Sequence, residues 1–270
     1  MGTKKRLIFT LHFEDGYFVL SRNFRTQRVG DLAWLEKNYG FQKVSAFVDE
    51  LIILNVSSQP RQHQSRFLDS VEEISRGCFA PVSVGGGIRG VEDAREAFAA
   101  GADKIVVNEL LHFDTEAVEE LGNLFGAQSL IASVDVSRSD SEYRVMRQRA
   151  RIEGSFDPII RLAEGGLFGE IYLNSVDKDG TGTGLDLQLP SYVVKICGTR
   201  PSLVLAGGAG KPEHLLEGLR LGFVNGVATA NLLNFVGGGL RNTRALLLGS
   251  GIDLASWPVD ESKMSTSPNS

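Results

Sequence analysis

The stretch VGGGIRGVEDAREAFAAGADKIVVNELLHF, residues 84–113, decides the fold of this chain, because it recurs. A similar stretch, LAGGAGKPEHLLEGLRLGFVNGVATANLLNF, occupies residues 205–235. In each copy an apolar run ends in a glycine cluster, and an amphipathic helical segment and a second apolar run follow. Two further pairs match: DELIILNV from Asp49 resembles GEIYLNSV from Gly169, and LHFEDG resembles VDVSRSD. The nearly constant offset predicts a chain built from two equivalent halves.

Eight short apolar runs alternate with helical segments along the chain. They are LIFTL, ELIILNV, APVSV, KIVVN, LIASVDV, EIYLNSV, SLVLA and VNGVATA. Nearly continuous apolar strands separated by amphipathic helices are typical of a parallel sheet covered by helices. Eight of them within about 250 residues predict an α/β fold, a single (β/α)8 TIM barrel built from two half-barrel repeats. We expect the barrel to span residues 1–255 and the polar tail, residues 256–270, to be disordered.

Composition narrows the classes of function. The chain has 270 residues and a formal net charge of −5, which argues against a nucleic-acid backbone as the ligand. Because no long apolar run or basic-then-apolar leader points to a membrane or to secretion, we expect a cytoplasmic protein. Two cysteines, Cys78 and Cys197, and the histidines His63, His112 and His214 lack metal-ligand spacing. We predict reduced thiols, surface or capping histidines, no metal and no cofactor.

Each half of the repeat carries a candidate phosphate-binding cradle. One strand ends in a glycine cluster, which includes Gly87 in the first half and Gly208 in the second, and a helix opening follows. The next strand ends at Asn108 or at Ala230 and Asn231. Glycines let backbone N–H groups approach phosphate oxygens, and a helix N-terminus adds a favourable dipole. Glycines also serve tight turns, but two clusters at equivalent points predict that at least one phosphate binds.

Four motifs resemble one enzyme family, the cyclase subunit of imidazole glycerol phosphate synthase. They are VGGGIRGVEDAREAFAAGADK, FGAQSLIASVDVSR, SVDKDGTGTGLDL and AGGAGKPEH, and the resemblance spans nearly all of residues 5–235. It implies a (β/α)8 barrel that pairs with a separate glutaminase as a heterodimer. It also implies that ammonia passes through the barrel and attacks a phosphorylated small molecule, a bisphosphorylated ribulosyl compound in the family. The chain itself has no convincing cysteine nucleophile with a base, so ammonia is expected from outside.

Four charges stand at the starts of predicted strands. They are Arg6, Glu50, Lys104 and Glu170. Each is common by itself at an exposed strand edge, but together they would collect two positive and two negative charges at one end of the barrel. Buried charges need partners, and this set is balanced. All four match the ring that gates the ammonia entrance in the family. Asp103 and Gln128 match its glutaminase-facing end, although each could be an ordinary surface residue.

Chemistry is expected at the opposite end of the barrel. Asp135 closes the fifth strand, where barrel enzymes place catalytic groups, and it matches a catalytic aspartate of the family. A turn or helix-capping role is the alternative. Strand alternation directs Arg6 and His12 to the barrel interior, so His12 occupies the mouth position of the family's other catalytic aspartate. Asp179 and Gly180 match the loop of the second phosphate site, although turn chemistry alone also explains an Asp-Gly pair.

Three further residues depart from the family. Leu20 stands where the family carries a catalytic lysine in its first mobile loop. Asn55 replaces an aspartate, and Glu109 replaces a small hydroxyl residue beside the first cradle. A carboxylate beside a phosphate is repulsive by about a few kcal/mol in a partly buried site, unless Arg89 offsets it or Glu109 points away. The first cradle is therefore altered, whereas the second is intact.

The pattern of kept and changed residues favours one function over two others. We expect a synthase subunit that receives ammonia from a glutaminase and adds it to a phosphorylated or activated sugar-type acceptor, as in amidino-sugar and O-antigen biosynthesis. The first alternative is authentic imidazole glycerol phosphate synthesis in histidine biosynthesis, with His12 in place of an aspartate. The second is a non-catalytic channel that activates the glutaminase, against which Asp135 and the phosphate cradles argue.

Overall fold

A computed structural model of the chain describes residues 4–39, 45–140, 142–147, 151–231 and 238–255. The tail that is predicted to be disordered, residues 256–270, lies outside the described residues, so this prediction stays open. Within the described ranges, no helix is long and apolar enough to cross a membrane.

The strands form one sheet, most of which closes into a barrel. In chain order they are β1 (Arg6–Glu14), β2 (Tyr17–Arg22), β3 (Arg25–Gly30), β4 (Glu50–Asn55), β5 (Val82–Gly85), β6 (Lys104–Val107), β7 (Leu130–Ser139), β8 (Glu142–Arg147), β9 (Ile152–Gly154), β10 (Glu170–Ser175), β11 (Ser202–Ala206) and β12 (Gly226–Thr229). The parallel strands follow one another around the barrel as β1, β4, β5, β6, β7, β10, β11 and β12. Because β12 pairs back with β1, the barrel is closed and the predicted (β/α)8 fold is confirmed.

Helices cover the outside of the barrel. They are α1 (Leu32–Tyr39), α2 (Gln64–Gly77), α3 (Val91–Ala99), α4 (Leu110–Phe113), α5 (Thr115–Phe125), α6 (Asp157–Glu164), α7 (Leu189–Cys197), α8 (Pro212–Leu219) and α9 (Gly238–Gly249). In α2, Phe67, Val71 and Ile74 recur at helical spacing and are buried against the barrel. At the start of α5, the Asp114 side chain accepts a hydrogen bond from the Ala117 N–H at 3.0 Å and caps the helix.

Alternate residues of the barrel strands face two different cores. In β1, Ile8 belongs to a small cluster inside the barrel, whereas Leu7 and Phe9 belong to the larger cluster between barrel and helices. Thr10 continues the inner face, and His12 lies at its end. Burial of one large apolar side chain stabilises the folded state by about 1.5–3 kcal/mol, before the loss of conformational entropy is subtracted. The larger outer cluster buries many such side chains and therefore holds the helices on the barrel.

Two antiparallel hairpins extend the sheet at the C-terminal, or mouth, end of the barrel. β2 and β3 continue from the end of β1, and β8 and β9 continue from the end of β7. His12 and Asp135 are already paired with β4 and β10 on one edge. Each hairpin therefore pairs with the opposite edge of its strand. On β1, the β2 strand lies above the end of β12, and on β7, the β8 strand lies above the end of β6. The segment that the resemblance describes as a mobile loop is a paired hairpin in this chain.

The strand registers relate the two halves residue by residue. One half is followed from β1 and the other from β7, from each strand to the strand that pairs with it. At every step the register between paired residues is the same in both halves. The equivalent pairs at functional positions are His12 with Asp135, Glu50 with Glu170, Gly87 with Gly208, Asn108 with Ala230, and Glu109 with Asn231. The register confirms the two half-barrels that the repeated sequence predicts.

Candidate active site

Four charged side chains close a ring at the N-terminal end of the barrel. Arg6 donates a hydrogen bond to Glu50 across 2.6 Å and also pairs with Glu170. The Lys104 ammonium lies 3.1 Å from Glu50 and 3.9 Å from Glu170. The two glutamate side chains are almost fully buried, at 2% and 6% exposed. The charges are therefore held in place by their mutual pairing and are not separate surface charges.

Above this charge ring, a small layer of side chains fills the barrel. Its members are Ile8, Ile52, Val106, Ile131, Tyr172, Val204, Ala206 and Ala228. The hydroxyls of Thr10 and Tyr172 lie 3.2 Å apart and join β1 to β10 across the lumen. Burial raises the pKa of the Tyr172 hydroxyl well above its usual value, so the hydroxyl stays neutral. A neutral hydroxyl pair thus separates the charge ring from the mouth.

Asp135 lies at the mouth, where β7 leaves the barrel. Its Oδ1 accepts a hydrogen bond from the Asn174 amide at 2.8 Å, and its Oδ2 accepts one from the Asn108 amide at 3.1 Å. Both amides favour the charged carboxylate, but burial is the larger effect. Burial, assisted by the charges of Asp179 and Glu109, raises the pKa of Asp135 to about 6. Asp135 therefore exchanges its proton near neutral pH, as a general acid or base must.

His12 lies at the equivalent point of the first half and is half-buried. Its paired neighbours are Val19 on β2 and Leu54 on β4, both apolar. The two equivalent mouth positions therefore differ in their chemistry. One presents an imidazole between apolar side chains, and the other presents a carboxylate between amides.

The second cradle lies at the mouth ends of β11 and β12. Gly207 and Gly208 have φ angles of +87° and +96°, which glycine adopts without strain. A side chain at Gly208 would come within 2.9 Å of the Lys178 Cβ, so the stem of this lysine borders the cradle. The Asn231 N–H donates to the Thr229 hydroxyl at 3.3 Å. A glycine turn of this kind lets backbone N–H groups approach an oxyanion.

The first cradle has a similar backbone but a different charge. Gly86 and Gly87 have φ angles of +94° and +87°. The adjoining Glu109 forms an ion pair with Arg147 of β8 at 3.4 Å. The sequence leaves two possibilities open for Glu109, an offset by Arg89 or a side chain that points away, and the structure pairs Glu109 with Arg147. The reason is that β8 runs back along β7 to the level at which β6 ends.

Asn108 faces Asp135. Its amide nitrogen donates to the Ser133 carbonyl at 2.9 Å and to the Asp135 carboxylate at 3.1 Å. Because an amide nitrogen carries two protons, both donors are used, and the side chain positions the carboxylate. Phosphate binding by Asn108 stays a prediction.

Asp179 ties the loop after β10 to the β2–β3 hairpin. Its carboxylate accepts hydrogen bonds from the Ser21 hydroxyl at 2.6 Å and from the Phe24 N–H at 3.0 Å. Gly180, with a φ of +65°, packs on the hairpin so closely that a Cβ would lie 2.5 Å from the Arg22 Cα. Both residues therefore hold the hairpin beside the mouth, and their predicted contact with phosphate stays a prediction.

Asp103 and Gln128 lie at the N-terminal end of the barrel, the end that carries the charge ring. Both are exposed. One oxygen of Asp103 accepts a hydrogen bond from the Val82 N–H at 2.8 Å, which fixes the start of β5. A partner docked at this end would meet both residues, so their predicted role at a glutaminase interface stays a prediction.

The departures at Leu20 and Asn55 take structural positions. Leu20 packs against the outer core. Asn55 is buried at 4% exposed, and its Oδ1 accepts a hydrogen bond from the Ser57 N–H at 3.1 Å. Neither side chain supplies a cation or a carboxylate to the mouth.

The remaining histidines lie apart from Asp135. His214 accepts a hydrogen bond from the Gly210 N–H at 3.2 Å, a capping contact at the turn before α8. His63 lies 3.6 Å from Asp15 near the surface. Burial lowers the pKa of His112, which lies near Arg147 and Glu109. Within the described ranges, no three His, Cys, Asp or Glu side chains are grouped to hold a metal ion.

Two residues of the site carried little signal in the sequence. Asn174 shares the inner face of β10 with Tyr172 and Glu170, and this spacing could have placed it beside Asp135. Arg147 gave no such signal, since its contact depends on the register of a hairpin whose turn is not readable from the residues.

Comparisons with known proteins cover the whole barrel. The family model described as "Histidine biosynthesis protein" matches residues 6–250. A protein of Parasynechococcus marenigrum named "Putative imidazole glycerol phosphate synthase subunit hisF2" is 41% identical over 260 residues, 95% of this chain and 96% of that protein. Proteins named "Imidazole glycerol phosphate synthase subunit HisF" from Pyrococcus furiosus and Chloroherpeton thalassium are 32% and 31% identical over 252 residues, 92% of this chain and 97% of each protein.

The matched region runs from the first residue of β1 through the last helix, so it contains the charge ring, Asp135 and both cradles. The mouth nevertheless differs from the pattern that the resemblance implies at His12, Leu20 and Glu109. The chain therefore belongs to the histidine biosynthesis protein family, in which it is a diverged, HisF-like enzyme.

Proposed function

We propose that this chain is the ammonia-using synthase subunit of a two-protein enzyme and adds ammonia to a phosphorylated acceptor at the barrel mouth. One observation carries the proposal: the charge ring and Asp135 lie at opposite ends of the same barrel. The ring supplies an entrance, and Asp135 supplies acid–base chemistry at the exit. The names of the relatives, HisF subunits of imidazole glycerol phosphate synthase, support the same assignment.

Neutral ammonia suits the interior of this barrel. An ammonium ion would carry an unpaired charge past apolar side chains, which is costly in a dry interior. Ammonia avoids this penalty and arrives with a free lone pair. The hydroxyls of Thr10 and Tyr172, midway along the route, are neutral hydrogen-bond partners for it.

Asp135 handles the protons of the addition. When ammonia bonds to a carbonyl carbon, one proton passes from nitrogen to oxygen, and the oxygen becomes a hydroxyl group. A second proton passes the same way when this hydroxyl leaves as water and a C=N bond forms. A carboxyl group with a pKa of about 6 accepts each proton from nitrogen and donates it to oxygen near neutral pH. Asn108 and Asn174 orient it, and we assign His12, at the equivalent point of the first half, as the second proton-transfer group.

The acceptor's phosphate is assigned to the second cradle. Gly208, Ala230 and Asn231 provide its backbone, and Lys178 borders it. The names of the relatives favour the bisphosphorylated ribulosyl compound as acceptor. His12 and the core-packed Leu20 favour a changed, sugar-type acceptor, as in amidino-sugar or O-antigen biosynthesis, because the resemblance implies an aspartate and a lysine at these positions.

The partner in this proposal is a glutaminase that docks at the charge ring and forms a heterodimer with the chain in the cytoplasm. Asp103 and Gln128, exposed at that end, are the proposed contacts. Ammonia released at the interface would then enter the barrel without passing through solvent.

The test supplies free ammonia, so that a missing glutaminase cannot explain a negative result. Purified chain is mixed with the bisphosphorylated ribulosyl compound and concentrated ammonium salt at alkaline pH, and the loss of substrate absorbance is followed. Turnover that Asp135→Asn lowers about a hundredfold or more would assign the histidine-pathway reaction. Asp114→Asn, which changes the exposed cap of α5 and keeps a side-chain oxygen that can cap the helix, is the control and should leave turnover within twofold.

Other outcomes decide the remaining alternatives. A folded, phosphate-binding chain without turnover would assign a changed acceptor. Turnover that is unaffected by Asp135→Asn would overturn the role of Asp135.

A further inference from the structure

Arg147 and Leu20 occupy equivalent positions in the two hairpins. Leu20 follows Val19, which is the β2 partner of the mouth residue His12. Arg147 follows Met146, which is the β8 partner of the mouth residue Asp135. Each therefore lies above the strand that carries a cradle. The residue above β6 is an arginine, whereas the residue above β12 is a leucine whose side chain packs against the outer core.

The residues beneath them differ in charge as well. Glu109 lies two residues after the end of β6, which pairs with β7, and Asn231 lies two residues after the end of β12, which pairs with β1. Glu109 and Asn231 are therefore equivalent. The first cradle is consequently flanked by the ion pair of Glu109 and Arg147, whereas the second has the neutral Asn231 at the position of Glu109. A bisphosphorylated ligand would place one phosphate at each cradle and would need similar charges around both. The charges around the two cradles differ.

The ion pair changes what the first cradle can hold. Arg147 lies 3.4 Å from Glu109, and the two side chains are only 23% and 34% exposed. A phosphate at Gly86 and Gly87 would place a second negative group beside the Glu109 carboxylate, where water screens the repulsion poorly. Arg147 cannot compensate fully, because Glu109 already neutralises it.

The second cradle lacks this obstacle. Its equivalent of Glu109 is the neutral Asn231, and Lys178 borders Gly208. The Asp179 carboxylate of the neighbouring loop is turned to the hairpin, where Ser21 and Phe24 donate to it. A phosphate at the second cradle therefore meets a neutral residue, Asn231, where one at the first cradle meets the Glu109 carboxylate and its ion pair with Arg147.

We infer that the acceptor carries a single phosphate, held at the second cradle, and that Glu109 and Arg147 select an acceptor whose other end is uncharged. The inference rests on the proposed function, which makes the mouth the acceptor site. The pair offers carboxylate acceptors and guanidinium donors side by side, a combination that recognises hydroxyl or amide groups. Glu109 and Arg147 are thus specificity-determining residues.

The test is a titration of the full chain with inorganic phosphate, followed by the backbone amide shifts in ¹H–¹⁵N NMR spectra. Saturable shifts are expected at Gly207 and Gly208, with at least about tenfold weaker binding at Gly86 and Gly87, the factor that one pKa unit of like-charge repulsion supplies. Because this measurement needs no ammonia, partner or acceptor, its result is independent of turnover.

Variants of the ion pair sharpen the test. Glu109→Thr removes the carboxylate and releases Arg147, so phosphate affinity at the first cradle should rise at least about tenfold. Adding Arg147→Met to that variant should abolish the gain. Glu153→Gln, which removes the carboxylate from the exposed ion pair with Arg144 on the same hairpin, is the matched control and should change neither cradle.

Each outcome has one meaning. Similar affinities at both cradles of the natural chain, or no gain in Glu109→Thr, would overturn the single-phosphate inference and leave the proposed function standing. Phosphate that binds at neither cradle would overturn the phosphate site of the proposed function, and the inference with it. Unchanged amide shifts elsewhere in the spectra show that the variants are folded.

Discussion

The carboxylate of Asp135 is subject to two opposing influences. The amides of Asn108 and Asn174 stabilise its charged form, whereas burial and the charges of Asp179 and Glu109 stabilise the neutral form. The second group of effects is larger, so the pKa rises from 3.8 to about 6. The folded chain therefore holds this proton more tightly than the unfolded chain does, and the free energy of unfolding depends on pH.

We predict that Asp135 makes the folded state progressively less stable between about pH 4 and pH 7. Its contribution is fully present below the unfolded pKa of 3.8 and is lost as the pH rises through about 6. The shift corresponds to at most about 3 kcal/mol. Asp135→Asn does not titrate, so relative to the natural chain the variant should become more stable by up to that amount over the same range.

Urea unfolding at several pH values measures this difference. The comparison is made within each pH, so other titrating groups cancel. A stability difference between the two chains that does not change from about pH 4 to pH 7 would contradict a raised pKa for Asp135.

Among the secondary-structure elements, one loop anchors both hairpins. In the loop after β10, Asp177 accepts a hydrogen bond from the Ser137 hydroxyl of β7 at 2.9 Å. Two residues later, Asp179 accepts one from the Ser21 hydroxyl of β2 at 2.6 Å. Two neighbouring aspartates thus fix one hairpin in each half of the barrel, and the positions of Leu20 and Arg147 depend on this loop.

We predict that Asp179→Ala loosens the β2–β3 hairpin selectively. The variant loses the hydrogen bonds from Ser21 and Phe24 to a charged acceptor, each worth about 1.5–3 kcal/mol when fully formed. Because the hairpin tip is partly solvated, we expect amide exchange around residues 21–24 to accelerate about tenfold. Hydrogen exchange followed by mass spectrometry measures the change.

Asp177→Ala is the matched control for this prediction. It removes the contacts to Ser137 and to the Arg138 N–H, the latter at 2.7 Å, and should accelerate exchange at the β7–β8 end instead. Equal acceleration of both hairpins in either variant would show that the loop acts as one unit and that the two aspartates have no separate roles.

Over the whole molecule, charge is separated between the two ends of the barrel. The N-terminal end holds a neutral, closed ring of two cations and two carboxylates. The mouth holds a carboxylate whose pKa lies near neutrality. The layer of buried side chains between them separates the two charged regions, so each can be tested separately.

We predict that Glu50→Gln destabilises the barrel by about 3 kcal/mol, as expected when one partner of a buried ion pair is removed. Glu50 accepts from Arg6 at 2.6 Å, from Ser83 at 2.6 Å and from Lys104 at 3.1 Å, and its side chain is 2% exposed. A glutamine is neutral and has one acceptor oxygen, so the two partly buried cations keep only Glu170 as a charged partner. Urea unfolding at pH 7 measures the loss.

The control is Glu153→Gln, since the Glu153 side chain is 61% exposed in its pair with Arg144. An exposed pair contributes about 0–1 kcal/mol, so this variant should be nearly neutral. A loss for Glu50→Gln that is no larger than for the control would mean that the charge ring is not held by buried pairing.

The amino-acid sequence by itself determined the barrel, its two halves and the strand end on which Asp135 lies. Strand periodicity is local, so β1 shows its inner and outer faces in the order of its own residues. The repeat of residues 84–113 at 205–235 carries the half-barrel symmetry without any knowledge of contacts. A balanced set of four charges at strand starts, together with the resemblance to the family, also predicted a ring, because unpaired charges are not buried.

Tertiary structure alone decided which side chains meet at the mouth. The pairing of Glu109 with Arg147 spans 38 positions, and that of Asn174 with Asp135 spans 39. Such contacts depend on the register in which β7, β8 and β10 align once the barrel closes. The residues that set the charge of each cradle lie far apart in the chain and meet only when the barrel closes. The local sequence pattern reports on neighbouring residues, so it could not predict these contacts.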